Sequence, residues 1–237
     1  MRASLAYALV AALANLVGAG AVAARPRWSP TALEAMTALA AGFLVSASLM
    51  SIFPEALARG GAAAAPVAVA GYLLVHLTQH TLVRHFHFGE ETHEVNQAVG
   101  VSALSGLMLH TFVDGVAIAS GFRVGAGLGV IIFLGILLHK IPEGLAISSL
   151  FLAAGAGRRR ALLAAGALGA ATVAGALLTD AVAPLAAHGL ALSAGVTLYV
   201  AASNLVPEFQ AKRGWWVPAG LLAGCALYGA ARRLTGH

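Results

Sequence analysis

Apolar residues dominate the chain in long runs, broken by short polar stretches. A helical membrane span needs about 20 mostly apolar residues. Eight segments meet that need: Ser4–Ala24, Ala32–Phe53, Pro66–Leu82, Ala98–Gly121, Gly125–Leu152, Ala161–Pro184, Leu190–Leu205 and Trp216–Ala231. The third and seventh are short but extend into their polar ends. The first could also serve as a cleavable signal, since Arg2 precedes an apolar run ending in Ala-Val-Ala-Ala. Its length exceeds the roughly 7–15 residues of a signal's apolar core, which favours a span. The pattern predicts an all-α polytopic membrane protein of eight transmembrane helices in a single domain, residues 1–237.

Composition agrees with the pattern. Of 237 residues, 59% are hydrophobic and 10% charged, against roughly 25% charged in soluble domains. This excludes a disordered chain, a soluble enzyme and a nucleic-acid-binding domain. The 28 glycines suit close helix packing in lipid. With a single cysteine, Cys225, no intrachain disulfide or cysteine metal cluster can form. The net charge of +5 reads as topology. Odd-numbered connections hold Arg25, Arg27, Arg84, Arg158, Arg159, Arg160, Lys212 and Arg213, while the other side holds Arg2, Arg59, Arg123, Arg232 and Arg233. The positive-inside rule then puts both termini outside. Trp28, Trp215 and Trp216 beside span starts fit interfacial anchors.

Two internal echoes organise the spans. His110-Thr-Phe-Val-Asp114-Gly115-Val-Ala117-Ile118 and His139-Lys-Ile-Pro-Glu143-Gly144-Leu-Ala146-Ile147 share His-x-x-x-acid-Gly-x-Ala-Ile. A second echo runs from Gly42 to Pro54-Glu55 and from Gly195 to Pro207-Glu208. Spans two and seven must run antiparallel, which fits inverted repeats of helices 1–3 and 6–8 around central helices 4 and 5.

A His and an acid at i and i+4 share one helix face. If the two central faces meet, His110, Asp114, His139 and Glu143 converge as metal ligands. Imidazole with carboxylate suits Zn²⁺, Fe²⁺ or Mn²⁺. A single intramembrane pair could be a structural hydrogen bond; two copies on consecutive helices favour function, because buried ionisable groups are costly in lipid. Pro142 should leave the Leu138 carbonyl without its helical donor. A tract at about 83–96, with His85, His87 and His93 among glutamates, is either a cytoplasmic metal-capture loop or a merely polar one. Glu55 and Glu208 at span ends could recruit metal or cap the interface. Ser46, Ser48 and Ser51 could line a path or pack between helices.

The two central motifs resemble the fourth- and fifth-helix signatures of the ZIP (Zrt/Irt-like) family of divalent metal transporters. The similarity is to a bacterial-type member with Lys in the fifth-helix motif. It implies eight spans with outer termini, a bacterial inner membrane, and a binuclear metal site between the central helices. His110 and Glu143 match ligands of the family's main transport site, and Asp114 and His139 further polar positions. Where the family usually has Asn and an acid after each His, this chain has Thr111 and Lys140. A sixth-helix acid of some members falls near Thr172, and a seventh-helix acid at Ser203 or Asn204. The second-metal position is thus dismantled, and the expectation is that the Lys140 ammonium replaces that metal; the alternative is that it snorkels to an interface.

The functional expectation is transmembrane transport of divalent transition-metal ions, zinc first and iron or manganese as alternatives. The resemblance implies uptake toward the cytoplasm. The transported ion is the only cofactor-like group expected, and the bilayer and divalent metals are the expected partners, with no nucleic acid and room for a homodimer. The rival is an intramembrane zinc-dependent hydrolase, which could assemble similar ligands. The chain has no His-Glu-x-x-His, the motif of helical zinc hydrolases, so an enzyme is not expected.

Overall fold

The computed structural model describes residues 2–24, 30–82, 97–206 and 215–236. Among these, all regular structure is helical: α1 Arg2–Ala24, α2 Pro30–Ala47, α3 Phe53–Gly60, α4 Ala64–Leu82, α5 Gln97–Val124, α6 Ala126–Ala153, α7 Arg158–Ala181, α8 Ala183–Tyr199 and α9 Trp216–Thr235. Side chains facing outward, such as Leu13, Val17, Leu163 and Leu222, are large and apolar. A protein whose solvent is lipid has no reason to hide them.

Among the described residues, six segments are long and apolar enough to cross a membrane. The predicted second and third spans fall in one 51-residue stretch, Thr31–Thr81. It is broken at Gly61, whose φ of 55° opens a short 3₁₀ turn; only glycine takes this backbone without steric cost. The predicted eighth span is helical as α9, but its tryptophan, proline and two arginines lower its hydropathy. One boundary is corrected. Pro184 does not close the sixth span: α7 ends at Ala181, and Pro184 lies in the first turn of α8. There its missing N–H costs nothing, because first-turn donors have no helical partner.

Two wide turns interrupt the helices. In α2–α3, a π-helical turn spans Ser48–Ile52, and the Phe53 N–H bonds back to the Ser48 carbonyl. After α8, a π-helical turn spans Val200–Leu205, and the Val206 N–H reaches Ala201 O at 3.1 Å. Phe53 and Val206 are 153 residues apart, as are Ser48 and Ala201. Each wide turn lies just before a Pro-Glu of the sequence echo. Pro54 cannot donate to the turn before it, which gives the widening a local cause.

Helix packing obeys the same offset. A Cβ on Gly42 would overlap the Leu221 carbonyl of α9, and one on Gly224 the Leu39 carbonyl of α2. A Cβ on Gly195 would overlap the Ala68 carbonyl of α4, and one on Gly71 the Leu192 carbonyl of α8. Adding 153 to the lower-numbered residue of each α2–α9 contact, and subtracting it from the higher-numbered one, gives the matching α4–α8 contact. Around the centre, Gly115 and Gly175 seat α5 on α7 through Thr172 and Phe112; Gly144 and Gly18 seat α6 on α1 through Asn15 and Ile141. The core between these layers is aliphatic and aromatic, with Phe43, Ile52, Ile118, Leu128, Ile131 and Ile136 fully enclosed.

Candidate metal centre

Helices α5 and α6 place the duplicated motif face to face. Each helical i, i+4 pair puts an imidazole one turn from a carboxylate, and the glycine after each acid lets a flanking helix close over it. His110, Asp114, His139 and Glu143 are all buried, and one ligand atom from each lies within 4.8 Å of the others. Among the described residues this is where His and acidic side chains gather so closely.

The hydrogen bonds assign roles within the cluster. His139 Nδ1 lies 3.1 Å from the Gly135 carbonyl, which can only accept, so this nitrogen carries a proton. Its Nε2 then faces Asp114 Oδ2 at 3.3 Å and Glu143 Oε2 at 3.9 Å. A neutral ring would point a lone pair at these carboxylates, a contact that becomes favourable when a proton or a metal ion sits between. His110 Nε2 is 3.8 Å from Glu143 Oε2, and its buried Nδ1 has no partner among the described residues. The Thr111 hydroxyl lies 2.9 Å from Glu143 Oε1 and 2.7 Å from the Leu107 carbonyl. It steadies the carboxylate from outside the cluster.

Lys140 closes the arrangement. Its side chain is fully buried, and Nζ stands 2.7 Å from both Asp114 Oδ2 and Glu143 Oε2. The ammonium bridges the two carboxylates rather than reaching toward an interface. Such a bridge offsets much of the cost of holding two carboxylates out of water. It also occupies the same oxygens that would face an ion.

Other sequence candidates lie elsewhere. Ser203 is on the wide turn after α8, where its hydroxyl shares a 2.7 Å hydrogen bond with Tyr72 of α4; Asn204 follows it, half-buried. Ser51 and Tyr228 form a similar bond between the α2–α3 turn and α9, also 2.7 Å, and Ser48 donates to the Ala194 carbonyl at 2.8 Å. These serines join helices. Glu55, in the first turn of α3, accepts from Arg59 Nε at 2.6 Å. Thr172 is buried beneath Gly115. Glu208 and the loop residues His85, His87 and His93 lie outside the described residues. Sequence reasoning passed over Asn15, which is fully buried in α1 with neither amide atom partnered among the described residues; an Asn within an apolar run was its only sign.

The fold and the cluster define a class: an all-helical membrane protein with a buried histidine–carboxylate centre between two antiparallel-packed motif helices. The model of the ZIP zinc transporter family matches residues 76–231, which takes in both motif helices. The chain belongs to the ZIP zinc transporter family. Among curated proteins no match to it was found. Family membership assigns divalent metal transport and places the chain with transporters, not enzymes.

Proposed function

We propose that the chain carries divalent transition-metal ions, zinc foremost with iron and manganese as alternatives, across a bacterial inner membrane into the cytoplasm. The observation that carries this is the convergence of two imidazoles and two carboxylates on one buried point. A bare divalent ion cannot enter hydrocarbon, so its water shell must be exchanged for such ligands. Binding must be strong enough to dehydrate the ion and weak enough to release it. Both ligand types must be deprotonated to bind, so metal and protons compete for the site.

In this reading the centre takes one ion, held by His110, Asp114, His139 and Glu143. Lys140 fills the role of a second metal by bridging the carboxylates, and Thr111 orients Glu143. The supporting geometry is the pair of 2.7 Å contacts at Nζ. The single transporter domain crosses the membrane eight times. As one helix, 51 residues would run about 76 Å at 1.5 Å per residue, far beyond a core of about 30 Å. The Thr31–Thr81 stretch therefore makes two crossings with its turn at Gly61. The matched glycine contacts and wide turns support inverted repeats of three helices around α5 and α6, and the positive-inside rule puts both termini outside. Rocking of these repeats against the central pair gives alternating access. The hydrolase alternative has no observation of its own in its favour.

Zinc flux into proteoliposomes is the test. Wild-type protein is expected to accumulate zinc, and His110→Ala and Glu143→Ala to fall to the level of empty vesicles while still folding. Zinc bound by the wild type without any flux would overturn the carrier reading.

A further inference from the structure

A second site is built at one end of the bundle, away from the metal centre. A cavity of about 300 Å³ opens where the α3–α4 turn, the end of α5 and the start of α8 meet. This volume is at the lower limit of small-molecule sites, roughly 300–1,000 Å³. Its polar lining is Arg59, Arg123, His188 and the hydroxyl-bearing Ser120, over a floor that includes Ala56 and Leu190. Ser120 is six residues past Asp114 on α5, about 9 Å along the axis. Buried Ala117 and Ile118 lie between.

The charge of this cavity is wrong for a divalent cation. Two half-exposed arginines line it, and no acidic side chain lines it among the described residues. Each guanidinium is held from outside the lining. Arg59 Nε donates to Glu55 at 2.6 Å, and an Arg123 Nη donates to Asp180 at 3.1 Å. One carboxylate uses only part of a five-donor fork, so each Arg is oriented and keeps further N–H groups to give. Two forks, an imidazole and a hydroxyl approach from three helices. Donors spread in this way suit a tetrahedral dianion better than a planar carboxylate, and Arg pairs bidentately with phosphate.

We propose that this cavity is an oxyanion site that takes a phosphate group, either free phosphate or the headgroup of an anionic phospholipid. Bound there, the phosphate bridges α3, through Arg59, to α5, through Arg123. It fastens an outer helix pair to the central helix that carries His110 and Asp114.

The test needs no metal and no transport. The full chain in neutral detergent, metal-free and at constant ionic strength in chloride, is titrated with inorganic phosphate while thermal unfolding is followed by tryptophan fluorescence. A ligand that binds only the folded state raises the midpoint. In parallel, native mass spectrometry after incubation with phosphatidylglycerol counts retained lipid. The midpoint is expected to rise with phosphate beyond chloride, or phosphatidylglycerol to be retained. The Arg59→Gln/Arg123→Gln double variant should weaken whichever response is seen about tenfold or more. A phosphate response without lipid retention identifies the free ion; lipid retention that phosphate fails to displace identifies the headgroup. Arg59→Lys/Arg123→Lys, which keeps the charge and loses the fork, guards against misfolding and should fall between the two. If wild type and both variants respond alike to each ligand, or none responds, the site does not exist.

Discussion

Lys140 decides how the centre behaves when empty. With both acids and the lysine ionised, the buried set carries a net charge of −1, and a divalent ion would bring it to +1. Without the ammonium the empty set would hold two carboxylates with no fixed partner. Removing one side of a buried ion pair costs about 3–5 kcal/mol. Lys140→Met is therefore expected to lower the unfolding midpoint of the metal-free protein sharply. Because the ammonium covers the oxygens that an ion needs, the same change should tighten zinc binding, and saturating zinc should restore much of the lost stability. Unfolding with and without zinc, beside a zinc titration, measures both effects. A metal-free variant as stable as wild type would show that the bridge contributes nothing. Lys140→Asp, by restoring an acid, should raise bound metal from one ion per chain toward two, read by elemental analysis.

At the scale of helices, glycines determine which neighbours can close on the motif. Gly144 follows Glu143, and a Cβ there would overlap the Asn15 carbonyl. Gly144→Ala must push α1 away from α6, and overpacking of this kind typically costs about 1–3 kcal/mol. Since Glu143 rides on the same turn, zinc flux should fall as well. Gly20 in α1 meets nothing within 4 Å, so Gly20→Ala should leave stability and flux unchanged. Equal losses in the two variants, by unfolding and flux, would mean that close approach is not what Gly144 provides. The comparison also shows what a sequence can and cannot reveal. His110, Asp114, His139 and Glu143 were legible because helical spacing fixes a shared face before any tertiary contact exists. The position of Pro184 was misread because apolar residues continue through the break between α7 and α8. Only the extended backbone at Val182, with φ −108° and ψ 108°, separates the two helices. The burial of Asn15, unpartnered among the described residues, depends on which helices meet, and no spacing within one helix encodes that.

For the whole molecule, the eight-crossing arrangement makes a prediction about sides. Ala62 in the turn between α3 and α4, and Val182 between α7 and α8, are both exposed, as is Arg159 at the start of α7. If Thr31–Thr81 crosses twice, Ala62 and Val182 share one face of the membrane and Arg159 is on the other. The positive-inside rule makes the face of Arg158, Arg159 and Arg160 cytoplasmic. The chain's one cysteine, Cys225, sits in α9 with Sγ 3.5 Å from the Gly42 carbonyl. The contact is weak, so Cys225→Ser should fold and provide a background without thiols. In that background, Ala62→Cys and Val182→Cys are expected to react with a membrane-impermeant maleimide added to intact cells with an opened outer membrane. Arg159→Cys should react only after the inner membrane is breached. Labelling of Ala62→Cys and Arg159→Cys from the same side would rule out two crossings in Thr31–Thr81. The inverted relation of the repeats would then fail as well, because antiparallel α2 and α8 need that extra passage through the bilayer.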